Sequence, residues 1–352
     1  MTSVRPTAAA IRQARADNPK LRERDLANNL GISEAEFVAA WVGEGNRRIE
    51  PKVDEFLTGM EALGEVMALT RNESAVHEKI GVYDKVVTGK HAAMAQGENI
   101  DLRIFPRNWV HGYAVSKTDG DGVVRRSLQF FDGAGDAVHK VHLRDASNVD
   151  AYEALVTRLL HAEQTQTVEI EAKVLPISKP AMPAVDVDDL RDRWSKMTDV
   201  HQFINILRDL KLTRLQSVQV VGTDYAWPVE GDAVADMMRQ SAADAIPIMC
   251  FVGNRGCIQI HSGPISEIKP MGPWLNIMDP TFHLHLRLDH IVETWAVRKP
   301  ASEGFVTSIE AYDADGELII QFFGKRKEGS LERDDWRSLV ESLPRTPRPS
   351  AA

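Results

Sequence analysis

Cysteine is nearly missing: the 352 residues contain two, Cys250 and Cys257. They flank the turn Gly253-Asn254-Arg255-Gly256 in MCFVGNRGCIQI, where alternation suggests two short strands. They could face each other across a hairpin, but two buried thiols are the expectation. There is no CxxCH motif, which excludes cofactor attachment through thioether bonds. No apolar run approaches the length of a membrane span. The first thirty residues mix Arg, Asp, Lys and Glu and offer no apolar segment of secretory type, so the cytoplasm is the expected compartment. An excess of positive charge is lacking too. With 42 basic and 51 acidic residues the formal charge is −9, which argues against an electrostatic grip on nucleic acid or on an anionic membrane. GxSxG, P-loop and Rossmann fingerprints are absent. What remains is an ordinary globular composition, 43% hydrophobic and 26% charged, sufficient for one large or two medium domains.

The most informative feature present is an internal repeat at an offset of about 182 residues. IDLRIFPRNWVHGYAVSK (100–117) lies over FHLHLRLDHIVETWAVRK (282–299), pairing Tyr113 with Trp295 and Lys117 with Lys299. SLQFFDGAGDAV matches SIEAYDADGELI, with Asp132 over Asp313 and Gly135 over Gly316. Upstream, Asn72 falls over Asn254 and Gly81 over Gly263, and LGISEAEFVAAW keeps register with LKLTRLQSVQVV. Within each copy helical periodicity comes first and short alternating segments follow, separated by turns such as DGDG and DGAGD. In the first copy the alternating stretches are 66–70, 79–87, 100–105, 109–116, 124–132 and 136–143. Strands succeeding strands through tight turns imply antiparallel sheets and an α+β class. The expected organisation is a flexible N-terminus (1–20), a first repeat (21–163), a connector (164–197), a second repeat (198–345) and a flexible C-terminus (346–352). Pro176, Pro180 and Pro183 suit a semi-rigid connector. Two similar halves are expected to leave a ligand cleft.

Chemistry-bearing residues compete with plainer readings. DLANNLGISEAEFVAAW resembles a helix-turn-helix superficially, but its second helix carries glutamates and neither Lys nor Arg, unlike a nucleic-acid reading helix. FHLHLRLDH places His283 and His285 on one strand face, as zinc or a non-heme metal would need, yet nothing at a familiar spacing completes such a site. His139 and His142 in HKVH form a weaker pair. In TDVHQFINILRDL, Thr198 and Asp199 are capping residue types, and Val200, Phe203, Ile204, Leu207 and Leu210 recur at helical spacing. His201 then falls in the first helical turn, off the apolar stripe. It is either a half-exposed surface histidine or a ligand aimed outside the helix's own core. The positive end of the helix dipole favours a neutral ring with an available lone pair. Arg214, Arg103, Lys299 and Arg326 are solvated surface when taken singly. Converging on one cleft, they would suit a dianionic ligand.

LTRNESAVHEKIGVYDKV, NIDLRIFPRNW, TDVHQFINILRDLKLTRLQ and TWAVRKP…VTSIEAYDADGELI, in this order, resemble the hemin-degrading factor family of bacterial cytoplasmic hemin-utilisation proteins. The resemblance spans roughly residues 20–345 and includes the duplication. It implies two similar halves, each a large antiparallel sheet with flanking helices, and one b-type heme between them. It further implies His201 as the iron ligand, Arg103 and Phe105 on the distal side, and Arg214 and Lys299 near the propionates. Gln321 and Phe323 fall where relatives line the pocket; a tyrosine is common near Phe323, so its phenolic hydrogen bond would be absent here. Arg326 is a cleft candidate. The implied activity is oxidative opening of imported heme to release iron, with electrons from an external donor and heme from an importer. The alternative is a carrier or store that delivers heme to a separate oxygenase. A third possibility, a metal-binding hairpin around His283 and His285, predicts zinc instead of heme.

Overall fold

The computed structural model describes residues 5–173, 183–327 and 329–346. Their strands fall into two nine-stranded sheets. The described residues divide into two compact units. The first takes those of Met1–Arg71, His77–Val174 and Gly253–Gln259; the second takes those of Asn72–Val76, Leu175–Val252 and Ile260–Ala352. Each unit therefore includes one short segment from the opposite half of the chain. Repeat boundaries drawn along the sequence miss this exchange.

The first unit opens with α1 (Ala8–Asp17), α2 (Glu23–Asn29) and α3 (Glu34–Ala39). Helix α1 occupies much of the segment 1–20 expected to be a flexible tail. Its alanine-rich sequence favours helix, Thr7 accepts the Ala10 amide at 3.3 Å, and Ile11 is buried with Leu26, Ala27 and Phe37. After β1 (Arg47–Ile49) and α4 (Val53–Met60) come β2 (Val66–Arg71), β3 (Ala75–Gly81), β4 (Val86–Val87), β5 (Ala93–Gln96) and β6 (Asp101–Ile104). Then follow β7 (His111–Thr118), β8 (Val124–Phe131), β9 (Ala137–Leu143) and α5 (Val149–Arg158). The antiparallel order is β1-β7-β8-β9-β2, with a separate run β4-β5-β6. One face of the longer run packs with α4 and α5 through Phe56, Leu57, Phe130, Tyr152 and Leu155; α3 covers Tyr113, Val115 and Phe131 on the other.

The second unit repeats this plan. Helices α6 (Val187–Ser195), α7 (Gln202–Leu210) and α8 (Arg214–Val220) precede β10 (Ala226–Val229), α9 (Ala233–Ala243), β11 (Ile248–Gly253) and β12 (Cys257–Gly263). Next are β13 (Ile268–Met271), β14 (Trp274–Met278), β15 (Phe282–Arg287), β16 (Glu293–Ala301), β17 (Gly304–Tyr312), β18 (Leu318–Gly324) and α10 (Asp334–Ser342). The order β10-β16-β17-β18-β11 mirrors the first unit, as does the run β13-β14-β15. The duplication reaches single atoms. Asn72 Oδ1 accepts the amides of Ser74 and Ala75, and Asn254 Oδ1 those of Gly256 and Cys257, all at 2.8–2.9 Å. Gly135 and Gly316 take the same left-handed conformation, φ +79° and +81°, in turns capped by Asp132 and Asp313.

The expected connector has two described parts. Residues 164–173 run along the first unit, where Val168 and Ile170 pack against the α3 cluster and Glu171 donates to Gly133. From 183 the chain belongs to the second unit and soon forms α6. Pro176, Pro180 and positions 347–352 lie outside the described residues. Both cysteines are free and buried, and burial pushes the Cys257 thiol up to about 12. No helix among the described residues is long and apolar enough to cross a membrane.

Candidate functional site

In the second unit, α6, α7 and α8 cover one end of the β16–β17–β18 face. Trp194, Phe203, Leu215, Val218, Trp295 and Val297 form the buried contact. Burying aromatic side chains such as Trp194 and Phe203 contributes about 1.5–3 kcal/mol each, which fixes how α7 begins. His201 stands at the N-cap of that helix and is 79% exposed. Its Nδ1 lies 2.7 Å from Asp199 Oδ1, the same oxygen that accepts the His201 amide at 2.8 Å. That amide bond first, then the His201 ring and Arg326, hold the Asp199 carboxyl below its ordinary range. The arrangement occupies Nδ1 and leaves Nε2 without a partner among the described residues. A carboxylate on one ring nitrogen orients the other as a metal ligand. One turn along the same side of α7, Ile204 is 61% exposed, an apolar neighbour for a flat ligand.

Beneath α7 lies a fully buried carboxylate, Glu310 on β17. It accepts from Lys299 Nζ at 2.9 Å, Gln321 Nε2 at 2.9 Å, Ser308 Oγ at 3.0 Å, Tyr312 Oη at 2.5 Å and Arg214 Nη1 at 3.2 Å. Burial alone would raise its pKa, but Lys299, Arg214 and these hydrogen bonds outweigh burial and hold it well below the carboxylate range. Strand alternation puts Ser308, Glu310 and Tyr312 on one face, and antiparallel register brings Gln321 directly opposite Glu310. Arg214 arrives as the first residue of α8, whose N-cap Thr213 forms a capping box with Gln216. Both cations also lie over the Phe203 ring, Arg214 at 4.9 Å and Lys299 at 4.7 Å from its centroid. The two differ in access: the Lys299 side chain is 5% exposed and that of Arg214 25%.

Arg214, Lys299 and Gln321, widely separated in sequence, thus meet at one carboxylate. Phe323, two residues beyond Gln321, is half-buried on the same strand face. Its ring packs against Phe251 at 5.1 Å, edge-on. Arg326 follows the end of β18. In the first unit, Arg103 on β6 is 35% exposed and ion-paired to Asp101 on its own strand. Phe105 closes that strand, its amide donating to Gly256 at 3.0 Å. Glu310 and Tyr312 fall within a matching motif without being marked there as site residues, Phe203 read only as part of the apolar stripe of α7, and Asp199 was legible only as a capping residue. His285 Nδ1 is engaged by Asn276 Oδ1 at 2.6 Å. Among the described residues no group of three or more His, Cys, Asp or Glu is placed to hold a metal ion. His139 is a core residue: Thr70 and Tyr83 hydroxyls bond its two ring nitrogens, and burial lowers its pKa to about 3. The glutamates of the apparent recognition helix have structural work. Glu34 pairs with Lys140 at 2.9 Å and Glu36 completes the Ser33 capping box.

Comparison with known proteins matches the Haemin-degrading HemS.ChuX domain twice, at residues 31–159 and 211–343. The hemin transport protein HemS of Yersinia enterocolitica is 39% identical over 335 residues, covering 94% of this chain and 95% of that protein. Among solved structures, holo-PhuS, a heme-binding protein from Pseudomonas aeruginosa, superposes with a TM-score of 0.93 at 41% identity, covering 96% of this chain and 98% of that one. ChuS, an E. coli heme oxygenase, gives a TM-score of 0.85 at 36% identity, covering 95% and 99%.

Proposed function

We propose, from the premise that this chain belongs to the haemin-degrading HemS/ChuX family, that it binds heme through His201 and oxidatively degrades it to release iron. The observation that carries the reading is the Asp199–His201 pair at the exposed start of α7. Its unengaged Nε2 is a suitable axial donor, and Ile204 and Phe323 offer apolar surface to a porphyrin. Arg214 is assigned to a propionate, and Gln321 and Arg326 to the polar side of the same site. Arg103 and Phe105 are assigned to the distal side, where a guanidinium donates hydrogen bonds to ligands of the iron. Heme brings the redox chemistry as substrate; the protein holds, orients and polarises. Imported heme and an external electron donor are the partners this reading needs.

A carrier reading draws support from one observation: Arg103 is already neutralised by Asp101 on its own strand. Hemin-loaded protein given an electron donor under air separates the two readings. Loss of the Soret band with release of iron is the expected result. A stable ferrous or oxy spectrum would instead assign the chain to transport or storage. In the same assay Arg103→Ala should still bind hemin but degrade it more slowly or to different products. Degradation equal to that of the unsubstituted protein would remove Arg103 from the mechanism.

A further inference from the structure

The open face of the short run β4-β5-β6 carries two opposite charges side by side. Strand alternation turns Leu102 and Ile104 into the core and leaves Asp101 and Arg103 half-buried on the other face. Antiparallel register sets Met94 across from Arg103 and Gln96 across from Asp101, and Val87, across from Met94, is exposed. Residues two apart on a strand stand about 6.5–7 Å from each other, a gap that a short aspartate and a long arginine close without bending the backbone. Arg103 Nη1 donates to Asp101 Oδ1 and, at 3.2 Å, to the Leu102 carbonyl. Nε and Nη2 have no partner among the described residues. One nitrogen of the planar fork is thus committed to its own strand, and the fork's remaining donors are left for a ligand. A carboxylate in contact with the guanidinium also offsets its charge at any third group, and does so more strongly where water is partly excluded.

We propose that Asp101 is a positioning residue that anchors Arg103 through Nη1 and damps its charge. A ligand over this face then meets aimed N–H donors without a full net cation behind them. The proposal rests on the heme reading, which sets Arg103 beside the ligands of the iron. It adds Asp101 as the residue that decides how strongly those ligands are polarised.

Carbon monoxide on ferrous heme is the probe. Positive charge near its oxygen lowers the C–O stretching frequency, so the band reports the polarity of the distal side and not the amount of folded protein. The full-length chain is loaded with hemin, reduced and exposed to carbon monoxide, and infrared spectra are compared with those of R103A, D101N, D101A and D101N/R103A. R103A should raise the frequency. D101N keeps an oxygen for Nη1 but removes the negative charge, and should lower it. D101A removes the anchor as well and should lack that lowering. D101N/R103A should match R103A, because Asp101 acts through Arg103. A D101N frequency that fails to fall, a D101A frequency that falls as far as that of D101N, or a double variant displaced from R103A each overturns the proposal while the heme reading stands. An R103A frequency equal to that of the unsubstituted chain overturns the proposal together with the distal assignment of Arg103. Failure of the unsubstituted chain to bind hemin overturns the heme reading itself.

Discussion

Equivalent positions in the two units carry different charges. Lys140 stands in the first unit where Gln321 stands in the second, Gln129 where Glu310 stands, Phe131 where Tyr312 stands, and Glu34 opens the helix that Arg214 opens. The first unit settles its charges as a plain pair, Glu34 with Lys140 at 2.9 Å, with a neutral glutamine on the sheet behind. The second buries an anion and gathers two cations around it, leaving positive charge in excess. Lys117 and Lys299 make the same point. The former reaches the surface and pairs with Glu23, while the latter is interred. A shared backbone thus supports a balanced ion pair in one copy and a buried anion with surplus positive charge around it in the other. Histidine is the second difference: His201 precedes α7, whereas Arg22 precedes the corresponding α2.

The largest expected effect that sharpens this contrast comes from Glu310→Gln. It leaves the buried Lys299 and the part-buried Arg214 without their anion and should destabilise the protein by about 3–5 kcal/mol in urea unfolding. Gln129→Ala, at the matching place in the first unit, should cost only about 1 kcal/mol. Equal losses would mean that the two networks are energetically alike.

Acid should act on the units by different groups. His139 in the first unit has its pKa lowered to about 3, so the unfolded chain takes up the proton first. Its contribution is fully present above its ordinary value of about 6.5 and is lost progressively as pH falls toward 3. Glu310 in the second unit also has a depressed pKa, but its contribution is present above the ordinary carboxylate range and fades only below that. His139→Gln should therefore flatten the slope of stability between about pH 6.5 and 4.5, measured from denaturation midpoints against pH. An unaltered slope would contradict the buried neutral role of His139. A smaller effect than that of Glu310→Gln is also expected for Glu34→Gln, about 1 kcal/mol in urea unfolding, since that pair is part-buried and keeps some contact with water.

The duplicated plan was legible because turns are local. Asn72 and Asn254, or Gly135 and Gly316, fulfil the same backbone requirement within a few residues of themselves, so their spacing survives in the sequence. Strand alternation was equally readable, and β7, β8 and β9 fall within a few residues of the expected stretches. The Glu310 network was not legible. Its donors come from the start of α8, from β16, β17 and β18, and strand pairing rather than spacing brings them together. SIEAY does place Ser308, Glu310 and Tyr312 on one face, a faint signal that this face is polar and buried. Helix α1 was missed because its one buried residue, Ile11, stands among arginines, glutamine and aspartate that look, in sequence, like a charged tail. The exchange of 72–76 and 253–259 between units leaves no trace in composition at all.

The central claim is that the imidazole at the start of α7 holds heme iron. Hemin titration of the unsubstituted chain and of His201→Ala, followed by absorption with and without reductant, tests it most directly. The expected result is a histidine-ligated spectrum in the first and its loss in the second, with affinity lowered about 100-fold or more. The same spectrum and affinity in both would contradict the assignment of the iron to His201.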